Sequence, residues 1–115
     1  MAIPHALPGQ AVDVRPLGSR LSTEKTTALF KSTDLDVMRL VLLSGKSLPP
    51  HKVRGDITIH CLEGVMSVSA DGTEHILNPG QLLYVRGNVL HGVQAVEDAS
   101  ALVTIALVKG PGRSE

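Results

Sequence analysis

Turn-forming residues divide the chain into short runs of β-branched and aliphatic residues, and this regular spacing is what most limits its possible folds. Asp71 followed by Gly72 is a strong signal for a tight hairpin, because glycine accepts a positive φ and aspartate tolerates one. Gly64 marks another turn, and the Asn-Pro-Gly run at 78–80 marks a third. No helical stripe of convincing length is present. The pattern therefore predicts an all-β domain rather than alternating strands and helices.

Eight strands are predicted, at 26–31, 35–43, 56–62, 65–70, 73–77, 82–85, 92–96 and 101–108. So many short strands cannot form a flat sheet with one wet face, and we expect them to close into a barrel or a two-sheet jelly roll. The preceding residues are rich in proline and glycine and predict an extended arm that could pair with a neighbouring subunit. The predicted organisation is an arm at 1–20 and a single barrel domain at 21–115.

Alternation along the strand at 56–62 predicts which of its side chains face the interior. Ile57, Ile59 and Cys61 share one face, whereas Thr58 and His60 share the other. Because the first set is apolar, we expect it to point into the barrel and His60 to point outward. Cys61 has no second cysteine to pair with in this chain, and we interpret it as a small buried hydrophobe.

Three other strands carry information about the two faces of the sheets. Met66 and Val68 are predicted to lie inside. The last strand is apolar on both faces apart from Thr104, so its outer face should also be covered, most simply by a second subunit in a homodimer. Arg39 interrupts an otherwise apolar strand. We expect it to point to solvent, although its planar fork would also suit a carboxylate of a ligand or partner.

Charge and aromatic content exclude several classes of function. Eleven basic and eleven acidic residues leave no net charge, and no basic cluster is present, so nucleic acid is not an expected partner. Phe30 and Tyr84 are the only aromatic residues, which leaves a ligand to be held mostly by aliphatic walls. Neither a signal-peptide pattern nor a stretch long enough to span a bilayer is present, so we predict no membrane partner and a cytoplasmic protein.

Two stretches of the chain carry glycine and histidine at a distinctive joint spacing. In the first, Gly45 is followed by His51 and then by Gly64; in the second, Gly80 is followed by His91. Together they resemble the paired motifs of the cupin superfamily, and in particular the small single-domain, cupin-2-type (RmlC-like) proteins. The resemblance implies an all-β double-stranded β-helix, or jelly-roll barrel, that often dimerises through strand exchange.

The same resemblance implies a degenerate metal site. In members that bind metal, two histidines and a glutamate of the first motif join the histidine of the second. Here only His51 and His91 remain, because Val53 stands at the second histidine position and Ile57 at the glutamate position. A divalent transition metal (Zn, Ni, Fe, Mn or Cu) would be weakly held by this pair, and no metal at all is an equally acceptable prediction. The two imidazoles would then hydrogen-bond each other, a carbonyl or a water.

A further ligand could come from five other side chains: Asp56, His60, Cys61, Glu63 and Tyr84. None is favoured. His60 should point outward, Cys61 should belong to the core, and the two acids adjoin glycines, where turn acids are usually solvated. His5 and His75 are also expected to be solvated. Arg54 and Arg86 lie in loops near the two histidines, where their charge would favour a small anion.

We therefore predict a barrel that binds a small molecule in a pocket formed by Val53, Ile57, Ile59, Cys61 and Tyr84. Its apolar character, set by Val53 and Ile57, favours a non-catalytic or regulatory binding protein. The alternative is a metal-dependent enzyme, resembling the cupin dioxygenases or isomerases, that uses His51 and His91. A third hypothesis is a structural module whose apolar outer strand mediates assembly. No catalytic residue is identified, because no general base is present at the usual carboxylate position.

Overall fold

The strands form two facing antiparallel sheets in a computed structural model that describes residues 5–108. A short 3-10 helix at Gly18–Thr23 precedes β1 (Thr27–Lys31), β2 (Leu35–Leu42), β3 (Ser47–His51), β4 (Ile57–Glu63), β5 (Met66–Ala70), β6 (Thr73–Leu77), β7 (Leu82–Val85), β8 (His91–Ala95) and β9 (Ala99–Ala106). One sheet has the order β1-β2-β9-β4-β7 and the other has the order β3-β8-β5-β6. The predicted all-β jelly roll is confirmed.

All eight predicted strands are present, and each end lies within two residues of its predicted position. The strand that was not predicted is β3, whose sequence includes Pro49 and Pro50. Proline cannot donate a ladder hydrogen bond, so it is tolerated mainly in edge strands and irregular pairings. β3 meets both conditions: within residues 5–108 it pairs only with β8, and its register shifts between Leu48 and His51.

The predicted hairpin joins β5 to β6. Asp71 and Gly72 have φ values of 52° and 79°, which is the left-handed conformation that a two-residue turn between twisted strands requires. Ala70 and Thr73 flank the turn as a register pair. The turn chemistry of two residues is thus enough to fix the pairing of these strands.

Side chains from both sheets fill the space between them. Ile57, Ile59 and Cys61 are 3%, 2% and 0% exposed, and Met66 and Val68 are fully buried, so the predicted interior faces of β4 and β5 are confirmed. Burial of each such aliphatic side chain contributes roughly 1.5–3 kcal/mol. This core makes the two sheets one cooperative unit around which the loops are held.

The described part of the predicted arm runs along the outside of the five-stranded sheet of its own chain. The amide of Ala6 donates to the carbonyl of Leu29 in β1 at 2.9 Å, and Leu21 in the 3-10 helix is buried. Residues 1–4 of the predicted arm and 109–115 of the predicted barrel domain lie outside the described residues. The division at residue 20 stays a prediction.

Arg39 was predicted to point to solvent, as arginine usually does, but this prediction is wrong. It is 7% exposed, and its guanidinium donates to the carbonyl oxygens of Arg15 at 2.8 Å and Asp13 at 3.2 Å. The arm covers Arg39 and supplies the acceptors that a buried cation needs. We call residues 13–18 the strap.

Glu63 is likewise not a solvated turn acid. Its carboxylate accepts hydrogen bonds from the amides of Leu17 at 2.8 Å and Gly18 at 3.0 Å, and from the hydroxyl of the buried Ser100. Burial alone would raise the pKa of Glu63, but these hydrogen bonds and the charge of Arg39 outweigh it and hold the pKa below its ordinary value. The outer face of the sheet is therefore covered in part by the strap of the same chain, where the sequence-based prediction invoked a second subunit.

Candidate functional site

His51 and His91, far apart in sequence, are brought together by the pairing of two strands. His51 ends β3, His91 begins β8, and the two are register partners. Their ring centroids are 4.6 Å apart and the ring planes are tilted by 50°. His91 is only 4% exposed, whereas His51 is exposed. The pair therefore joins a buried imidazole to one that solvent or a ligand can reach.

Each ring has its Nδ1 atom near a backbone carbonyl. Nδ1 of His91 is 3.1 Å from the carbonyl oxygen of Val89, and Nδ1 of His51 is 3.4 Å from that of Pro49. Because a carbonyl oxygen can only accept, these contacts favour the tautomer with hydrogen on Nδ1. In the neutral rings the Nε2 atoms then carry the lone pairs that could bind a metal or accept a hydrogen bond.

The other groups considered as metal ligands serve elsewhere. His60 lies on the outer face of β4, in register with Leu82 and Leu102. Asp56 accepts a hydrogen bond from the amide of Gly87 at 2.8 Å. The carboxylate of Glu63 is used by the strap and Ser100. None of these contacts involves His51 or His91.

Cys61 is also unsuited to metal binding. Its thiol donates to the carbonyl oxygens of Glu63 and Gly64, at 3.6 Å and 3.5 Å. Burial raises the pKa of this thiol, and the nearby Glu63 charge acts in the same direction, so the metal-binding thiolate is disfavoured. Cys61 therefore behaves as a core residue.

The donor set does not fit a complete metal centre. Within residues 5–108 there is no group of three or more histidine, cysteine, aspartate or glutamate side chains that could hold an ion. Val53 and Ile57, which replace two ligands of the family motif, have no lone pairs. Two imidazoles supply fewer donors than the three or four protein ligands of the usual first-row divalent metal sites, and no carboxylate adds negative charge.

The structure distributes the predicted pocket residues differently from the sequence-based expectation. Ile57, Ile59 and Cys61 are buried in the core, whereas Val53 is half-buried and packs against it. Tyr84 is 59% exposed on the outer face, where it pairs with Thr58. Because side chains alternate along β7, its neighbours on either side face inward and the tyrosine cannot.

The margin of the core consists of half-buried aliphatic side chains that sequence analysis did not single out: Met38, Ala70, Leu83, Val89 and Ile105, together with Val53. The alternation of β2 and β9 was a signal that could have placed Met38 and Ile105 on the inner face. His75 was expected in solvent but is half-buried, since it alternates onto the same face as the buried Leu77. His5 is exposed, as expected.

Two loops connect the sheets next to the histidine pair. The amide of Asn88 donates to the carbonyl of Val53 at 2.7 Å, so the loop at 86–90 is tied to the loop at 52–56. Arg54 and Arg86 are exposed on these loops. The loops follow His51 and precede His91 directly, so they form the surroundings of the pair on the side away from the strand ladder.

Comparison with known proteins identifies the family. The cupin-domain family model Cupin_2 matches residues 38–108, which is more than half of the chain. The chain therefore belongs to the cupin family. Comparison with curated proteins finds no match. Within residues 5–108, no helix has the length and apolar character needed to cross a membrane.

Several solved structures share the fold. A conserved protein of unknown function from Streptococcus pyogenes is 19% identical with a TM-score of 0.73, and the match covers 96% of this chain and 97% of that one. An RmlC-like cupin from Desulfovibrio desulfuricans is 25% identical with a TM-score of 0.72, covering 84% and 96%. An RmlC-like cupin from Shewanella frigidimarina is 20% identical with a TM-score of 0.71, covering 93% and 94%. The predicted RmlC-like cupin architecture is confirmed.

Proposed function

We propose that this protein is a non-catalytic cupin that binds a small molecule at the His51–His91 pair. The observation that carries the proposal is the 4.6 Å separation of two imidazoles whose Nδ1 atoms lie near carbonyls, with Val53 and Ile57 in place of the missing ligands. The Nε2 atoms orient a polar group of the ligand. The half-buried aliphatic side chains at the margin of the core hold its apolar part.

The test is a fragment screen by ligand-observed NMR on protein purified without added metal. Fragments that carry a hydrogen-bond donor beside an apolar group are expected to bind, and their signals should be lost in His51→Ala and His91→Ala. His60→Ala is the matched control, because His60 is half-buried but faces outward from β4. The proposal fails if every hit binds equally well to all three variants.

The alternative is a metal-dependent enzyme, dioxygenase- or isomerase-like, that uses the same two histidines. The placement of both Nδ1 atoms near backbone carbonyls favours it, since metal-ligating histidines usually donate their other ring nitrogen to such a group. The measurement is metal content after stringent chelation and re-addition of Zn, Ni, Fe, Mn or Cu at micromolar concentration. One tightly held ion per chain, with turnover lost in His51→Ala, would replace the binding proposal. If no metal is bound again after chelation, the enzyme hypothesis is eliminated.

We also propose a cytoplasmic homodimer. On the outer face of the five-stranded sheet, the large apolar side chain of Leu82 in β7 is 63% exposed, which supports an interface there. The single unpaired thiol of Cys61 suits a reducing compartment. Light scattering at high protein concentration tests the dimer, and a monomer there would contradict both the dimer and a purely assembly-forming role.

A further inference from the structure

A groove of about 640 Å³ lies on the outer surface and does not involve the histidine pair. The loops at 52–56 and 86–90 form it together with the chain that leaves β9. The side chains that matter are those of Arg54, Asp56, Tyr84, Arg86 and Leu107. It is thus a separate cavity with two cations, one acid, an aromatic ring and aliphatic atoms.

The two arginines are neighbours because the loops touch backbone to backbone. A Cβ on Gly87 would lie 2.3 Å from the carbonyl oxygen of Arg54, so only glycine permits this approach. The amide of Gly87 is fixed by Asp56 at 2.8 Å. Arg86 precedes this glycine directly, and both arginines line the groove. The left-handed φ of 64° at Asn88, unusual for a residue other than glycine, continues the tight loop.

The charges leave this groove positive. Arg54 and Arg86 supply two positive charges, and Asp56 supplies one negative charge, part of which already faces the Gly87 amide. Arg54 already has an interaction partner of its own. Arg86 is exposed, and its guanidinium is therefore the group expected to make the main contact with an anion.

The remaining walls suit an apolar group next to the anion. Tyr84 is 59% exposed, and its ring lines the groove. Leu107 and Val108 are half-buried and line it as well. An aromatic ring and branched aliphatic side chains offer contact area to a ring or a short hydrocarbon.

We infer that this groove binds a small organic oxyanion, a carboxylate or a phosphate ester, with its charge on Arg86 and its hydrocarbon part on Tyr84 and Leu107. The inference is independent of the histidine pair. It assigns a role to the only tyrosine of the chain, which is not explained by the core or by the proposed interior ligand.

Tyr84 also makes the inference testable, since the chain has no tryptophan and no other tyrosine. The probes are cyclohexanecarboxylate and cyclohexyl phosphate, which leave tyrosine emission unobscured, compared with acetate and inorganic phosphate at constant ionic strength. Emission of Tyr84 and the amide shifts of Gly87 and Asn88 are followed. We expect saturable changes with at least one cyclohexyl probe, at lower concentration than with its small counterpart. Which cyclohexyl probe saturates first distinguishes a carboxylate site from a phosphate site.

Substitutions at Arg86 test whether its guanidinium binds the oxyanion. Arg86→Gln should weaken it by about tenfold or more, because a charge-assisted hydrogen bond is lost, while Arg86→Lys keeps the charge but loses the fork and should lie between. Arg20→Gln is the matched control: it is an exposed arginine of the 3-10 helix, which follows the strap at the Glu63 end of β4. His51→Ala should leave the groove unchanged. Equal affinity in Arg86→Gln and the parent protein, or no saturable change with either cyclohexyl probe, would overturn the inference.

Discussion

The cluster beneath the strap and the histidine pair are both polar, but they use their polar atoms differently. Beneath the strap, Arg39, Glu63 and Ser100 direct their hydrogen bonds to the protein itself. At the histidine pair, carbonyls lie near the Nδ1 atoms, and we propose that the Nε2 lone pairs serve a ligand. The first arrangement stabilises the fold and the second is suited to a ligand. The two can be separated by measuring stability and binding on the same variants.

The largest expected loss of stability is at the strap. Glu63→Ala removes the acceptor of two backbone amides and of a fully buried hydroxyl, and we expect the free energy of unfolding to fall by about 3 kcal/mol. Urea denaturation measures it. Glu97→Ala, at an exposed turn position, is the control and should change stability by less than about 0.5 kcal/mol. Equal effects would show that the strap is not held by Glu63.

A smaller effect of the same cluster appears in the pH dependence of stability. Because the folded pKa of Glu63 lies below its unfolded value, its contribution is fully present above the unfolded pKa and is lost as pH falls through the folded pKa. In Glu63→Gln the urea midpoint should therefore fall less steeply on acidification. Asp13→Asn separates the other strap acid, whose pKa is lowered chiefly by the hydrogen bond from the Arg15 amide. An unchanged slope in Glu63→Gln would contradict the assignment.

The buried histidine should matter less to the fold than Glu63 does. His91→Ala removes one hydrogen bond to the Val89 carbonyl and some packing, so we expect a loss of about 1–2 kcal/mol. Thermal and urea unfolding both report it. A loss as large as that of Glu63→Ala would mean that His91 is chiefly structural, and the contrast between the two regions would disappear.

The exposed histidine should have the smallest effect on stability. His51→Ala is expected to change the free energy of unfolding by less than about 0.5 kcal/mol, because surface substitutions remove little packing. The same variant should nevertheless lose the fragments that bind at the pair. If the stable His51→Ala variant still binds every fragment, the ligand site lies elsewhere.

Local chemistry made much of the architecture predictable. The Asp71–Gly72 turn and the alternation of Ile57, Ile59 and Cys61 depend on neighbouring residues, and both were found as expected. β3 was missed because its prolines disfavour a strand, and only its position at a sheet edge makes them acceptable.

The site was less predictable than the fold. The spacing of glycines and histidines indicated that His51 and His91 belong together, and they meet as register partners. Tyr84 was assigned to the interior, although the alternation of β7 places it outside. The groove between Arg54 and Arg86 depends on the backbone contact at Gly87, which spacing alone does not reveal.

The amino-acid sequence by itself determined the strands other than β3 and the inner faces of β4 and β5, because turn geometry and a two-residue side-chain period are properties of adjacent residues. The spacing of its glycines and histidines indicated the family. Tertiary structure alone decided the partners of Arg39 and Glu63, since the strap that satisfies them is distant in sequence from both. A hydrogen bond between distant segments depends on how the whole chain folds. Arg39 and Glu63 were therefore predicted to be solvated, whereas in the structure both are hydrogen-bonded to the strap.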